Sequence, residues 1–153
     1  MHNTEIKKDF GMKNEHSAGV IVYYKSHASD EPSYLILHYG SGHWDFPKGK
    51  LEASETEIEA ALRELKEETA LEAMLNPDFE ESLAYFFRSP GGELVHKKVT
   101  FFIGETFRQD VTLSYEHVGY KWLTFAEAER QLTFENARQI LINAHQFIKS
   151  LSH

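Results

Sequence analysis

The sequence predicts one mixed α/β (α+β) domain, a mixed β-sheet covered by helices on both faces, and three observations predict it. Short β-branched and aromatic runs stand on both sides of a polar, helix-periodic stretch at 54–71, and a long amphipathic pattern closes the chain. No repeat, low-complexity run or linker divides the 153 residues, a length suited to one substantial core. Strands, a helix, more strands and terminal helices form layers because each element must bury one face against another.

The strands come first. Ala18–Tyr24 (AGVIVYY) reads as a buried strand, the Asp30-Glu31-Pro32 segment as a turn, and Tyr34–Tyr39 as the returning strand of a hairpin. Gly40-Ser41-Gly42 opens a loop through His43-Trp44-Asp45-Phe46-Pro47-Lys48-Gly49-Lys50 that delivers the chain to the polar helix. After that helix, residues 72–78 read as a connector broken at Asn76-Pro77. Glu80–Arg88 and Leu94–Phe107, separated by Ser89-Pro90-Gly91-Gly92, form a second hairpin. Thr124 with Glu127 caps a short helix, and Thr133 caps a longer one whose Phe134, Ala137, Leu141, Ala144, Ile148 and Leu151 belong to the core.

In the polar helix, Ser54 with Glu57 reads as a capping box, and Ile58, Leu62 and Leu65 with Ala61 form the apolar stripe. At about 100° per residue, Glu64, Glu67 and Glu68 fall within an arc of about 100° beside that stripe. Like charges at three- and four-residue spacing repel, so the arrangement favours a cation. All-oxygen donors suit a hard divalent ion such as magnesium or manganese, which shares its remaining positions with water and substrate phosphates. Taken alone, a glutamate-rich helix also reads as a solvated face.

Composition excludes other classes. The 41% hydrophobic and 13% aromatic content is that of globular material. A net charge of −8 argues against a general phosphate-attracting surface for nucleic acid, while leaving room for a local basic pocket. Zero cysteines remove disulfides, thiolate metal sites and cysteine nucleophiles. The opening MHNTEIKKDFGMKNE lacks the apolar core of a secretory signal, and no apolar run is long enough to span a bilayer, so a cytoplasmic protein without a membrane partner is expected. Residues 1–16 read as a flexible arm and 17–153 as the domain.

Gly49, five residues, Glu55, seven residues, then Arg63-Glu64-Leu65-Lys66-Glu67-Glu68-Thr69-Ala70-Leu71 resembles the Nudix box, G-x5-E-x7-R-E-U-x-E-E-x-G-U with U a bulky aliphatic. One fixed position departs: Ala70 stands where the family has glycine, at a helix exit suited to positive φ. The resemblance implies a Nudix-type alpha/beta/alpha sandwich and a pyrophosphohydrolase using Mg2+, with Mn2+ as a substitute. It implies metal ligands at the Lys48 carbonyl, Glu64, Glu67 and Glu68, with Glu116 as a further acidic ligand or base. Arg63 orients the cluster, Glu55 is structural, and either Glu64 or Glu116 serves as general base, a choice the sequence leaves open.

Within the family, His43-Trp44 followed by Pro47-Lys48-Gly49 looks like the asymmetrical diadenosine tetraphosphate hydrolases. That resemblance implies phosphate contacts from His43, Lys48 and Lys98. It also implies an adenine held between Tyr85 and Tyr120, the latter in Glu116-His117-Val118-Gly119-Tyr120-Lys121-Trp122-Leu123. Lys50 stands where many of these enzymes have histidine. The implied reaction is asymmetric hydrolysis of diadenosine tetraphosphate to ATP and AMP by a monomer. An RNA 5′ pyrophosphohydrolase, with a similar His-x-x-x-Pro loop, is the alternative enzyme, and nucleic acid would then enter only as a capped or triphosphorylated RNA end. A nucleotide-binding sensor without catalysis is the alternative of another class, and the intact Arg63-Glu64 and Glu67-Glu68 pairs argue against it.

Overall fold

The computed structural model describes residues 12–151. Strand β1 (Met12–Tyr24) runs through the middle of a seven-stranded sheet and pairs in parallel with β6 (Leu94–Glu105) along nearly its whole length. Its other edge pairs antiparallel with β2 (Ser33–Tyr39) only at Tyr23 and Tyr24. The two strands then part, and β4 (Lys48–Lys50) takes the vacated edge at Ser17, Ala18 and Gly19. Gly19 is what admits β4: a Cβ there would lie 2.5 Å from the Pro47 carbonyl oxygen and 2.6 Å from the Lys48 Cβ. The sheet is completed by β3 (Trp44–Asp45) and β7 (His117–Leu123) on β2, and by β5 (Met74–Arg88) on β6.

Alternation along the strands divides the core in two. Val20, Val22, Leu35, Leu37 and Phe102 face helix α1 (Glu57–Thr69), meeting Ala60, Ala61 and Leu65. Ile21, Tyr34, Ile36, Val99, Phe101 and Ile103 face α2 (Phe125–Gln131) and α3 (Glu135–Ser150), meeting Ala128, Ala137, Leu141, Ala144 and Ile148. The expected mixed sheet with helices on both faces is therefore present.

Several local expectations are corrected. β1 starts at Met12, so residues 12–16 of the expected arm are paired to β6 in the sheet, while residues 1–11 lie outside the described residues. Helix α1 is capped by Thr56 and Glu59, not by Ser54 and Glu57. The sequence carries the capping pattern twice; Ser54 adopts φ 75, outside the extended conformation of an N-cap, and Glu57 is engaged by His16 and Thr100. Ile58 is 48% exposed: the small Ala60 and Ala61 lie against the sheet instead, which turns Glu68 inward on the same seam as Ala61 and Leu65.

Asn76-Pro77 does not end the strand. The four residues 76–79 bulge out of the β5 ladder, where Pro77, lacking an N–H, interrupts no pairing. At α3 the N-cap is Phe134, 47% exposed and without a side-chain cap. Thr133 instead accepts the Trp44 N–H at 2.8 Å and joins the helix entrance to β3. Leu151 is likewise exposed. No helix among the described residues is long and apolar enough to cross a membrane.

Candidate active site

The route of β4 past Gly19 brings Lys48 and Gly49 against the inner side of α1. Gly49 lies under the Glu64 carboxylate so closely that a Cβ would sit 2.0 Å from its Cδ. The Lys48 N–H donates to Glu68 Oε1 at 3.3 Å. Glu64 and Glu68, one turn apart, thus meet the backbone that carries the glycine of the box. Burial, then the hydrogen bond and like charge of Glu64, push the Glu68 carboxyl up to about 9, against the pull of Lys48.

Arg63 ties the cluster together from outside. Its Nε donates to Glu55, Nη1 to Glu64 at 3.0 Å and Glu67 at 3.1 Å, and Nη2 to the Lys50 carbonyl and Glu55, both at 3.0 Å. Glu55 is therefore a clamp on Arg63, in line with its expected structural role. Glu67 is turned outward onto Arg63 and is more than half exposed. No group of three His, Asp or Glu side chains among the described residues is arranged as a metal cage. The donor chemistry nevertheless fits a hard cation: Glu64 and Glu68 are adjacent carboxylates whose mutual repulsion a cation could balance. Magnesium needs only one or two carboxylates when water and phosphate supply the rest.

The segment 111–117 packs on the end of α1. Thr112 N–H donates to the Thr69 carbonyl at 3.0 Å and Ser114 N–H to the Glu68 carbonyl at 3.2 Å, satisfying groups the helix terminus leaves open. Ala70 exits with φ 64, so the family's glycine position here holds an alanine in the left-handed conformation. Glu116 lies in this segment with its carbonyl accepting from Gly40 N–H at 3.0 Å and its side chain exposed.

On the other face of the sheet a cavity of about 420 Å³ is lined by His43, Lys48, Tyr85 and Lys97, with Asp45, Phe134 and Asn136. Leu83, Val99, Phe101 and Ala137 give it an apolar floor. His43 stacks on Tyr39 at 4.6 Å, and burial holds its imidazole below the ordinary value. Burial and then the neighbouring Lys48 charge lower the Lys97 ammonium. Asp45, buried and 3.8 Å from Lys48 Nζ, is pushed up mainly by its burial. A more open hollow of about 720 Å³ lies between the β1–β2 loop and the end of α3, and shares no lining residue with this cavity.

Two expected substrate contacts are corrected here. Lys98 stands on the α1 face, 4.0 Å from Glu57, while its neighbour Lys97 pairs across the ladder with Tyr85 and enters the cavity. A one-residue step along a strand reverses the face. Tyr120 pairs with Leu37, whose side chain belongs to the α1 core, so Tyr120 and Tyr85 lie on opposite faces and no tyrosine sandwich forms. Phe134 is a further aromatic ring lining the cavity. The sequence presents it as one more residue of an amphipathic helix, and only the uncapped start of α3 exposes it. Asp45 and His117 carry no spacing signal of their own.

The geometry agrees with what comparison with known proteins finds. Residues 15–144 match the NUDIX domain family. The bis(5′-nucleosyl)-tetraphosphatase [asymmetrical] of Rattus norvegicus is 36% identical over 124 residues, covering 76% of this chain and 81% of the rat protein. The Caenorhabditis elegans protein of the same name is 33% identical over 116 residues, 73% of this chain and 80% of its own. The crystal structure of a C. elegans Ap4A hydrolase binary complex superimposes with a TM-score of 0.78 at 27% identity, covering 89% of this chain and 98% of that one. The family match takes in the central strand, the Gly49–Leu71 box and the start of the last helix, and the chain belongs to the NUDIX domain family.

Proposed function

We propose that this pyrophosphohydrolase cleaves diadenosine tetraphosphate asymmetrically, giving ATP and AMP, with magnesium as its ion. The observation that carries the reading is the Lys48-Gly49 turn, whose Lys48 side chain lines an aromatic, basic cavity while its backbone meets Glu64 and Glu68. A dinucleoside polyphosphate needs such a continuous path: a base in the cavity, a phosphate chain along the lysines, and the scissile anhydride at the glutamates.

Tyr85 and Phe134 offer ring faces for a purine, each contact contributing about 0.5–1.5 kcal/mol. Lys48 and Lys97 neutralise phosphate oxygens, and His43, hydrogen-bonded to Ser41 at 2.9 Å, stands beside them. Glu64 and Glu68, with the Lys48 carbonyl, Glu67 and Glu116 as further oxygen donors, would hold the ion. A bound magnesium ion would offset phosphate charge and lower the pKa of a water molecule. Glu64 or Glu116 takes the proton from the attacking water, and Arg63 keeps Glu64 and Glu67 in register. Positioning and charge neutralisation account for most of the acceleration in such reactions.

The test is product analysis of the purified protein with magnesium and diadenosine tetraphosphate, with 5′-triphosphorylated RNA in parallel. ATP plus AMP in equal amounts from the dinucleotide is the expected result. Two ADP would contradict asymmetric cleavage, and turnover of the RNA alone would assign the site to RNA 5′ ends. Binding of the dinucleotide without turnover of either substrate would make the protein a sensor.

A further inference from the structure

We propose that His117 is a positioning residue for Glu68, holding one carboxylate oxygen from behind so that the other is presented to the metal ion. This rests on the reading of Glu64 and Glu68 as the ion's ligands.

The imidazole of His117 has no solvent-exposed surface. Among the described residues its Nε2 has no hydrogen-bond partner, yet it lies 3.7 Å from Glu68 Oε1. An unpaired buried ring nitrogen costs roughly 1–3 kcal/mol, so its retention at this place calls for a use. Oε1 is also the oxygen that accepts the Lys48 N–H. A movement of about 0.8 Å brings Nε2 to ordinary hydrogen-bond distance, and Oε1 then carries two donors while Oε2 is left for the ion. Carboxylates that bind metals are commonly held in this way, and loss of such a partner lowers metal affinity about 10–100-fold.

The surroundings fix the ring for that role. Ser114 Oγ is 3.1 Å from Nδ1 and 3.4 Å from the Glu116 N–H. In the proposed arrangement the Ser114 hydroxyl, accepting from the amide, donates to Nδ1, which puts the ring proton on Nε2, facing Glu68. The ring meets the edge of Tyr39 at 4.5 Å, and the other face of the connection is the Tyr39–His43 stack. Ser114 itself is tied to the Glu68 carbonyl, so the histidine and the carboxylate are anchored to the same turn of α1. Glu116, expected from the sequence to reach the cluster, is exposed, whereas the next residue is the one aimed at Glu68.

The experiment measures Mn2+ binding to the substrate-free protein by electron paramagnetic resonance, and urea stability without metal, for wild type, His117→Phe, His117→Gln and Glu68→Gln. His117→Phe keeps a ring but no donor, and its Mn2+ affinity is expected to fall about tenfold or more. His117→Gln keeps an N–H and is expected to stay within about threefold of wild type. Metal-free His117→Phe is expected to be at least as stable as wild type, because it removes an unpaired polar atom. Raising magnesium should restore kcat of His117→Phe without changing KM for the nucleotide. Wild-type Mn2+ affinity in His117→Phe would overturn the proposal, as would equal loss of metal-free stability in both His117 variants with affinity unchanged. Undiminished Mn2+ binding by Glu68→Gln would instead remove Glu68 as a ligand, and the underlying reading would fail with it.

Discussion

Glu64 rests on Gly49 with no room between them, and the consequence for Gly49→Ala is specific. The added methyl must displace the carboxylate, and a misplacement of about 1 Å at a reacting centre can cost about 10²-fold in rate. Gly49→Ala is therefore expected to lower kcat by roughly that factor, with a stability loss of about 1–3 kcal/mol from overpacking, read from steady-state kinetics and urea melts. Ala70 gives the opposite case. Its φ of 64 strains an L-residue by about 1–2 kcal/mol, of which glycine's greater unfolded-state freedom takes back about 0.5–1. Ala70→Gly should raise the urea midpoint with an unchanged m value, a gain in stability of roughly 0.5–1 kcal/mol.

The lysines separate at the same scale. Lys97→Ala should raise KM for the dinucleotide at least tenfold, about 1.4 kcal/mol, whereas Lys98→Ala should leave it within twofold. Because burial lowers the Lys97 ammonium, its charge is present at low pH and lost on the alkaline side before an ordinary lysine's. The alkaline fall of kcat/KM should thus move to higher pH in Lys97→Arg. Residue identity in the box was legible because its spacing follows the primary sequence. Which of Lys97 and Lys98 enters the cavity was not, since it depends on the β5–β6 register, set by pairing across a hairpin.

Helix α1 shows what an element adds. Its existence and its glutamates could be read from periodicity, but its rotation about its own axis could not. Two overlapping capping patterns compete at the start, and the small alanines rather than Ile58 and Leu62 set the line of closest approach. That rotation is what buries Glu68 and leaves Glu67 with Arg63. Helix α3 carries a pH dependence of its own. His145 stacks on Phe125 at 4.2 Å and meets the Tyr34 hydroxyl at 2.7 Å, and burial keeps its imidazole below the ordinary value near 6.5. A group depressed in the folded state contributes stability that is complete above its unfolded pKa and is lost as pH falls through the folded one. As pH falls below about 6.5, wild type should therefore lose stability relative to His145→Phe, as measured by urea unfolding of both across pH 4–8.

At the scale of the molecule, the separation of β1 from β2 gives the fold its use. Had the hairpin stayed paired along its length, β4 would have no edge to occupy, and the Lys48-Gly49 turn could not stand between the α1 glutamates and the cavity over the opposite face. The layered architecture was legible from the order of strand and helix patterns. This separation was not, because it depends on Gly19 admitting Pro47 and Lys48 to the centre of the sheet. Tyr120 lies on the face away from Tyr85, and Phe134 lines the cavity with Tyr85 instead.

In the function we propose, the two parts of this path do different work, the glutamates in the chemistry and the cavity in binding. This division is tested most directly by steady-state hydrolysis of diadenosine tetraphosphate with magnesium by wild type, Glu68→Gln and Lys97→Ala. Wild type is expected to give ATP and AMP, Glu68→Gln a kcat lowered at least about 10²-fold with KM little changed, and Lys97→Ala a raised KM. Wild-type turnover by Glu68→Gln, with Lys97→Ala also unchanged in KM, would contradict it.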